Sequence, residues 1–169
     1  MFGFGKKKVT HQDLAQGLYM SSVHFAELMA QKELATHTSP YASIDKQQLV
    51  HELLMTIFWI IHRVPAGCDK ERLMGLIFKK HFETCGFMKN KESAIAEREL
   101  ITSRLEEYDN AFVPSSGAQQ LLLGGTIARN ILNQDKLVLD AAVQYARAID
   151  VIFMMKTVKE LYDKYKVID

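Results

Sequence analysis

The sequence is short of the residues that interrupt helices. Its 169 residues include three prolines and nine glycines, and helix interiors tolerate few of either. Cysteine is nearly absent: Cys68 and Cys85 are the two examples. That excludes a small disulfide scaffold and fits a reducing, cytoplasmic setting. No charge sign dominates, since 21 basic residues face 20 acidic ones for a formal net charge of +1. Nucleic-acid binders draw most of their affinity from a basic excess, so no nucleic-acid partner is expected. No run approaches the roughly 18 to 20 apolar residues needed to cross a bilayer. The opening MFGFGKKK lacks the apolar centre of a secretory signal. Internal repeats, low-complexity tracts and strand-like alternation bounded by turns are also missing.

What is present is ordinary for a globular protein: 48% hydrophobic and 24% charged residues. A chain of this length suits one domain and buries roughly 70% of its unfolded surface. It therefore needs neither metal nor disulfide to fold, and no cofactor is expected.

Hydrophobic periodicity predicts about six helices. Thr10, three residues before Asp13, opens the first, which carries Leu14, Leu18, Phe25, Leu28 and Met29 and runs from His11 to about Ala35. Pro40 places residues 36–43 in a loop. A second helix spans Asp45 to Val64 and stops before Pro65. Asp69 caps a third that ends at Gly86. Asn90 or Ser93 caps a fourth, whose spine is Ile101, Leu105, Tyr108 and Phe112 and whose other face carries Glu92, Glu99, Glu106 and Asp109. Pro114 ends it, and Ser116 with Gln119 forms a capping box for a fifth. Asp135 caps a sixth that reaches about Tyr165. Its first half is apolar on nearly every side, which predicts a central helix buried on several faces. The expected fold is an all-α single-domain bundle over residues 10–169, with residues 1–9 a flexible segment.

The stretch HELLMTIFWIIHRV, His51 to Val64, invites three readings. A zincin helix needs H-E-x-x-H, and Met55 occupies the fifth position; thioether is a poor zinc ligand. A membrane span needs twice the length. A buried helix fits. One half of its wheel is an ordinary core face of Leu49, Leu53, Ile57, Phe58, Ile60 and Ile61. The other half carries His51, Met55, Trp59 and His62, edged by Gln48, Glu52 and Arg63. His51 and His62 stand about 16 Å apart along the axis, too far to share one ion. The Met–Trp stripe is either covered by another helix of the chain or serves as a partner surface, where tryptophan and methionine are enriched.

Other patterns are incomplete. His81 and Cys85 sit at i and i+4, as in a nucleophilic dyad or half a metal site, but no orienting group or oxyanion hole accompanies them. The plainer reading is a core cysteine beside a boundary histidine. His24 and Glu27 lack the E-x-x-H partners of a di-iron bundle. The double glycine in LLLGGT, Leu121 to Thr126, lacks the strand and G-K-[ST] of a phosphate loop; a close helix–helix approach or a kink explains it. Phe2 and Phe4 with Lys6, Lys7 and Lys8 form the one candidate membrane contact.

These failures count against a familiar enzyme class. The leading expectation is a non-enzymatic helical module that binds another protein or a second copy of itself. The expected surface is the His51, Met55, Trp59, His62 stripe, with the apolar sixth helix as second choice. The alternative is a helical-bundle enzyme or carrier whose internal pocket for an apolar ligand or cofactor touches His81 and Cys85. A peripheral membrane protein is a third reading.

Overall fold

The computed structural model describes residues 6–112, 117–133 and 140–168. They form an all-α bundle of six helices: α1 (His11–Ala35), α2 (Lys46–Arg63), α3 (Lys70–Thr84), α4 (Lys91–Ala111), α5 (Gly117–Leu132) and α6 (Ala141–Lys164). A 3-10 turn, Phe87–Lys89, joins α3 to α4, and two short strands, β1 (Lys7–Val9) and β2 (Tyr165–Val167), flank the bundle. No described helix is long and apolar enough to cross a membrane.

Local chemistry sets the helix ends. Thr10 Oγ1 accepts from the Asp13 amide and donates to the Asp13 carboxylate, satisfying one of the orphan donors of a first turn. Asp45, Asp69 and Asn90 cap α2, α3 and α4 in the same way. Gly86 follows α3 at φ 74°, a left-handed conformation that only glycine adopts without strain. For α6 the cap is Asp140, whose carboxylate accepts from the Ala142 amide at 2.7 Å. The expected Asp135 cap, Pro114 and the Ser116–Gln119 box lie outside the described residues or side chains.

Two expectations are corrected. The central helix is α2, not α6. Every residue from Glu52 to Ile61 is buried, and α1, α4, α5 and α6 all pack on this helix. The last helix instead lies on the outside, with one face on the core and the other in solvent. The second correction concerns Lys7–Val9, which was expected to be free. It pairs in parallel with Tyr165–Val167 in the register Lys7↔Tyr165, Lys8↔Lys166 and Val9↔Val167. Val9 and Val167 rest against the core, so apolar contact as well as backbone pairing holds this edge.

The glycine pair of α5 does mark a close approach. A Cβ added at Gly124 would fall on the carbonyl oxygen of Gln144 in α6 and lie 2.9 Å from the Ala148 amide nitrogen. The α5 backbone thus lies directly on the α6 backbone, a separation that only glycine permits.

Candidate functional site

The middle of the polar side of α2, from His51 to Trp59, faces α4. Its buried polar groups meet partners, as a low-dielectric seam requires. Arg104 of α4 donates from Nε and Nη2 to both oxygens of Glu52, at 3.0 Å each. Gln48 Nε2 donates to the Ile131 carbonyl at 3.1 Å. Trp59 Nε1 donates to Asp109 Oδ1 at 2.9 Å. Asn130 of α5 extends the network to Glu107 and the Tyr108 hydroxyl.

At one end of this seam three helices converge on a single carboxylate. Glu97 Oε1 of α4 lies 2.9 Å from His51 Nε2 of α2 and 2.6 Å from His81 Nε2 of α3. The two imidazoles stack with centroids 6.3 Å apart and planes inclined by 23°. His81 is fully buried and Glu97 is 6% exposed, while the His51 side chain is 31% exposed. Tyr19, Phe58, Phe82 and Phe87 surround the His81 ring at centroid distances of 5.4–6.1 Å. On its far edge, His81 Nδ1 lies 3.6 Å from Cys85 Sγ. The three ligand atoms of His51, His81 and Glu97 all fall within 4.8 Å of one another.

The electrostatics favour an anionic carboxylate here. Burial alone would raise the Glu97 carboxyl, but the His51 and His81 hydrogen bonds outweigh it and hold the pKa down at about 2. His51 is pushed up in turn, mainly by its hydrogen bond to Glu97, against the opposing effect of burial.

No protein-family model, curated protein or solved structure matches this chain.

The expected partner stripe on α2 is dismantled by this geometry. Met55 is 1% exposed and Trp59 is 0% exposed, both covered by the same chain. Tyr108 and Phe112 pack edge-on against the indole at 6.1 and 5.4 Å. His51 belongs to the triad, and His62 alone of the four is exposed. The His81–Cys85 expectation is inverted: His81 is the core residue and Cys85 is exposed. A groove of about 510 Å³ runs between α3 and α4, lined by Phe78, Phe82, Met88, Arg98, Ile101 and Leu105 among others. Neither His81 nor Cys85 lines it, so the expected ligand pocket around that pair does not form there. Both cysteines are free. Of the candidate membrane residues, Phe2 and Phe4 lie outside the described residues, and Lys7 and Lys8 belong to β1.

Sequence reasoning missed Glu97, although a signal was present. Glu97, Ile101, Leu105 and Tyr108 follow at helical spacing, so the carboxylate continues the apolar spine of α4. The apolar sixth helix, the second-choice partner surface, presents an outer face. There Tyr145, Ile149, Ile152 and Phe153 are exposed by 60, 47, 46 and 62%. They form one stripe, which also carries Ala142, Ala146 and Lys156, all exposed.

Proposed function

We propose that this protein is a helical interaction module that pairs with a second copy of itself through the outer face of α6, in a reducing, cytoplasmic setting. The carrying observation is the apolar stripe of Tyr145, Ile149, Ile152 and Phe153, roughly half exposed on a well-packed helix. Contiguous apolar surface of this kind marks interaction sites more often than chance.

The stripe is self-complementary. Tyr145, Ile149 and Phe153 follow at i, i+4 and i+8, so a two-fold axis at Ile149 sets that residue against itself. Each Tyr145 then meets Phe153 of the other copy, as an isologous interface requires. Ala142 and Ala146 leave room for close approach. The two helices run antiparallel, which opposes their dipoles, and Glu160 falls near the other copy's helix N-terminus. A net charge of +1 gives little long-range repulsion between copies.

Size predicts strength. Four side chains of this exposure contribute about 100 Å² each, or about 800 Å² over both copies. Stable interfaces bury about 1,200–2,000 Å², so a reversible dimer of micromolar or weaker affinity is expected. Sedimentation across a concentration series tests it. The mass should rise toward the dimer at high concentration, and Ile149→Asp should abolish the rise without lowering the melting temperature. A wild-type chain that stays monomeric throughout, or an Ile149→Asp protein that still dimerises, refutes the reading.

A further inference from the structure

We infer that His51, His81 and Glu97 form a binding site for one divalent first-row transition-metal ion, with zinc(II) the species their donor set fits. Two imidazole nitrogens and a carboxylate are borderline donors. Such sets hold zinc or iron(II), whereas magnesium and calcium take oxygen ligands.

The geometry is close to what an ion needs. Tetrahedral zinc with bonds of about 2.0–2.1 Å holds its ligand atoms about 3.3 Å apart. Here Glu97 Oε1 stands 2.9 and 2.6 Å from the two Nε2 atoms, so the donors need to open by about half an ångström. The terminal torsion of a glutamate is soft and supplies a movement of that size. Without metal, each Nε2 carries a proton that Glu97 accepts. Metal binding releases those protons and puts nitrogen lone pairs on the ion.

The surroundings have the features of a built site. The three ligands come from three helices, so their convergence is a product of the tertiary fold. The aromatic shell fixes the His81 ring, and Cys85 Sγ at 3.6 Å from Nδ1 is placed to orient its other nitrogen. The exposed edge of His51 offers a route in, and a water molecule there would complete the coordination. Glu97 is a buried carboxylate at 6% exposure, and a divalent cation bound beside it would compensate its charge. This inference concerns the α2–α3–α4 end of the bundle and is independent of the α6 surface.

The test uses the full chain stripped with a chelator and titrated with Co²⁺ as a visible-absorption probe, then with Zn²⁺. One Co²⁺ per chain should bind with d–d absorption, Zn²⁺ should displace it, and the melting temperature should rise with metal. Mg²⁺ and Ca²⁺ should do none of this. His51→Ala, at the exposed edge of the site, should weaken binding roughly 100-fold or more. His62→Ala, at the exposed end of α2, should leave it unchanged. Should His51→Ala fail to fold, ring ¹⁵N shifts of the wild type carry the test: Zn²⁺ should move the signals of His51 and His81 alone. A folded wild type that takes up neither Co²⁺ nor Zn²⁺ overturns the inference and leaves a hydrogen-bonded triad. So does uptake that survives His51→Ala, or ring shifts confined to other histidines.

Discussion

Glycine-to-alanine substitution in this bundle should change sign with position, and the series tests the packing of α5 on α6. In a helix interior alanine is favoured over glycine by about 1 kcal/mol, because glycine loses more backbone freedom on folding. Gly17 in α1 and Gly75 in α3 have nothing within 4 Å of an added Cβ. Gly17→Ala and Gly75→Ala should each gain most of that amount. At Gly124 the added methyl meets the Gln144 carbonyl oxygen, with the Ala148 nitrogen at 2.9 Å and the Gln144 carbonyl carbon at 3.1 Å. These are backbone atoms and cannot rotate aside, so α6 must move bodily. Overpacking of this kind costs about 1–3 kcal/mol and at times more, so Gly124→Ala should be destabilised despite its better propensity. Gly125 separates the two effects. Its Cβ would lie 2.9 Å from Gln144 Oε1, the end of a flexible side chain that can swing away. Gly125→Ala should fall near neutral. Urea unfolding followed by far-ultraviolet circular dichroism reads all four, and 1 kcal/mol corresponds to about 2–4 °C in Tm for a chain this long. A Gly124→Ala protein as stable as Gly17→Ala would refute the close backbone contact and the seating of α6 with it.

Two further outcomes follow from the seam between α2 and α4. Trp59 emission should be blue at every protein concentration, and Trp59→Ala should cost about 3–5 kcal/mol by urea melt, since it removes a fully buried indole; red emission on dilution would contradict the covered position. In metal-free protein, the Glu97–His51 pair should stabilise the fold most between about pH 4.5 and 6.5. Glu97, lowered to about 2, contributes fully above its unfolded value, and its contribution fades as pH falls through the folded one; the shift corresponds to about 3 kcal/mol. His51, raised, contributes fully below its unfolded value and loses its share as pH rises through its folded one. Melts across pH on wild type and Glu97→Gln check this: the variant should lose both slopes, and a variant with the wild-type profile would contradict it.

The helices were legible because caps and breakers act locally. Thr10, Asp45, Asp69, Asn90 and Gly86 do in the fold what their chemistry implies in the sequence. What a wheel cannot show is what faces it. The side of α2 that carries His51, Glu52 and Trp59 reads either as covered by another helix or as a partner surface; it is covered within the chain because Glu97, Arg104 and Asp109 stand opposite. Likewise, the all-round apolarity of α6 does not say whether its outer half is covered by this chain or by another. Glu97 was hidden among several glutamates on α4, and only its place on the Ile101–Leu105–Tyr108 spine set it apart. His81 and Cys85 were identified as neighbours, but a four-residue spacing leaves open which of them faces inward.

The pairing of β1 with β2 has a topological consequence. Parallel strands need a crossover, and here the crossover is the whole bundle: Lys7 is joined to Tyr165 only after every helix between them has been traversed. The backbone is thereby closed into a non-covalent ring. A single cut in one of the connections between helices would leave two fragments that still grip each other at this clasp, so nicking and dissociation become separate events. New ends can be opened at such a connection once a short peptide bridges residues 167 and 7, and the circularly permuted chain would meet the same set of contacts in a different order.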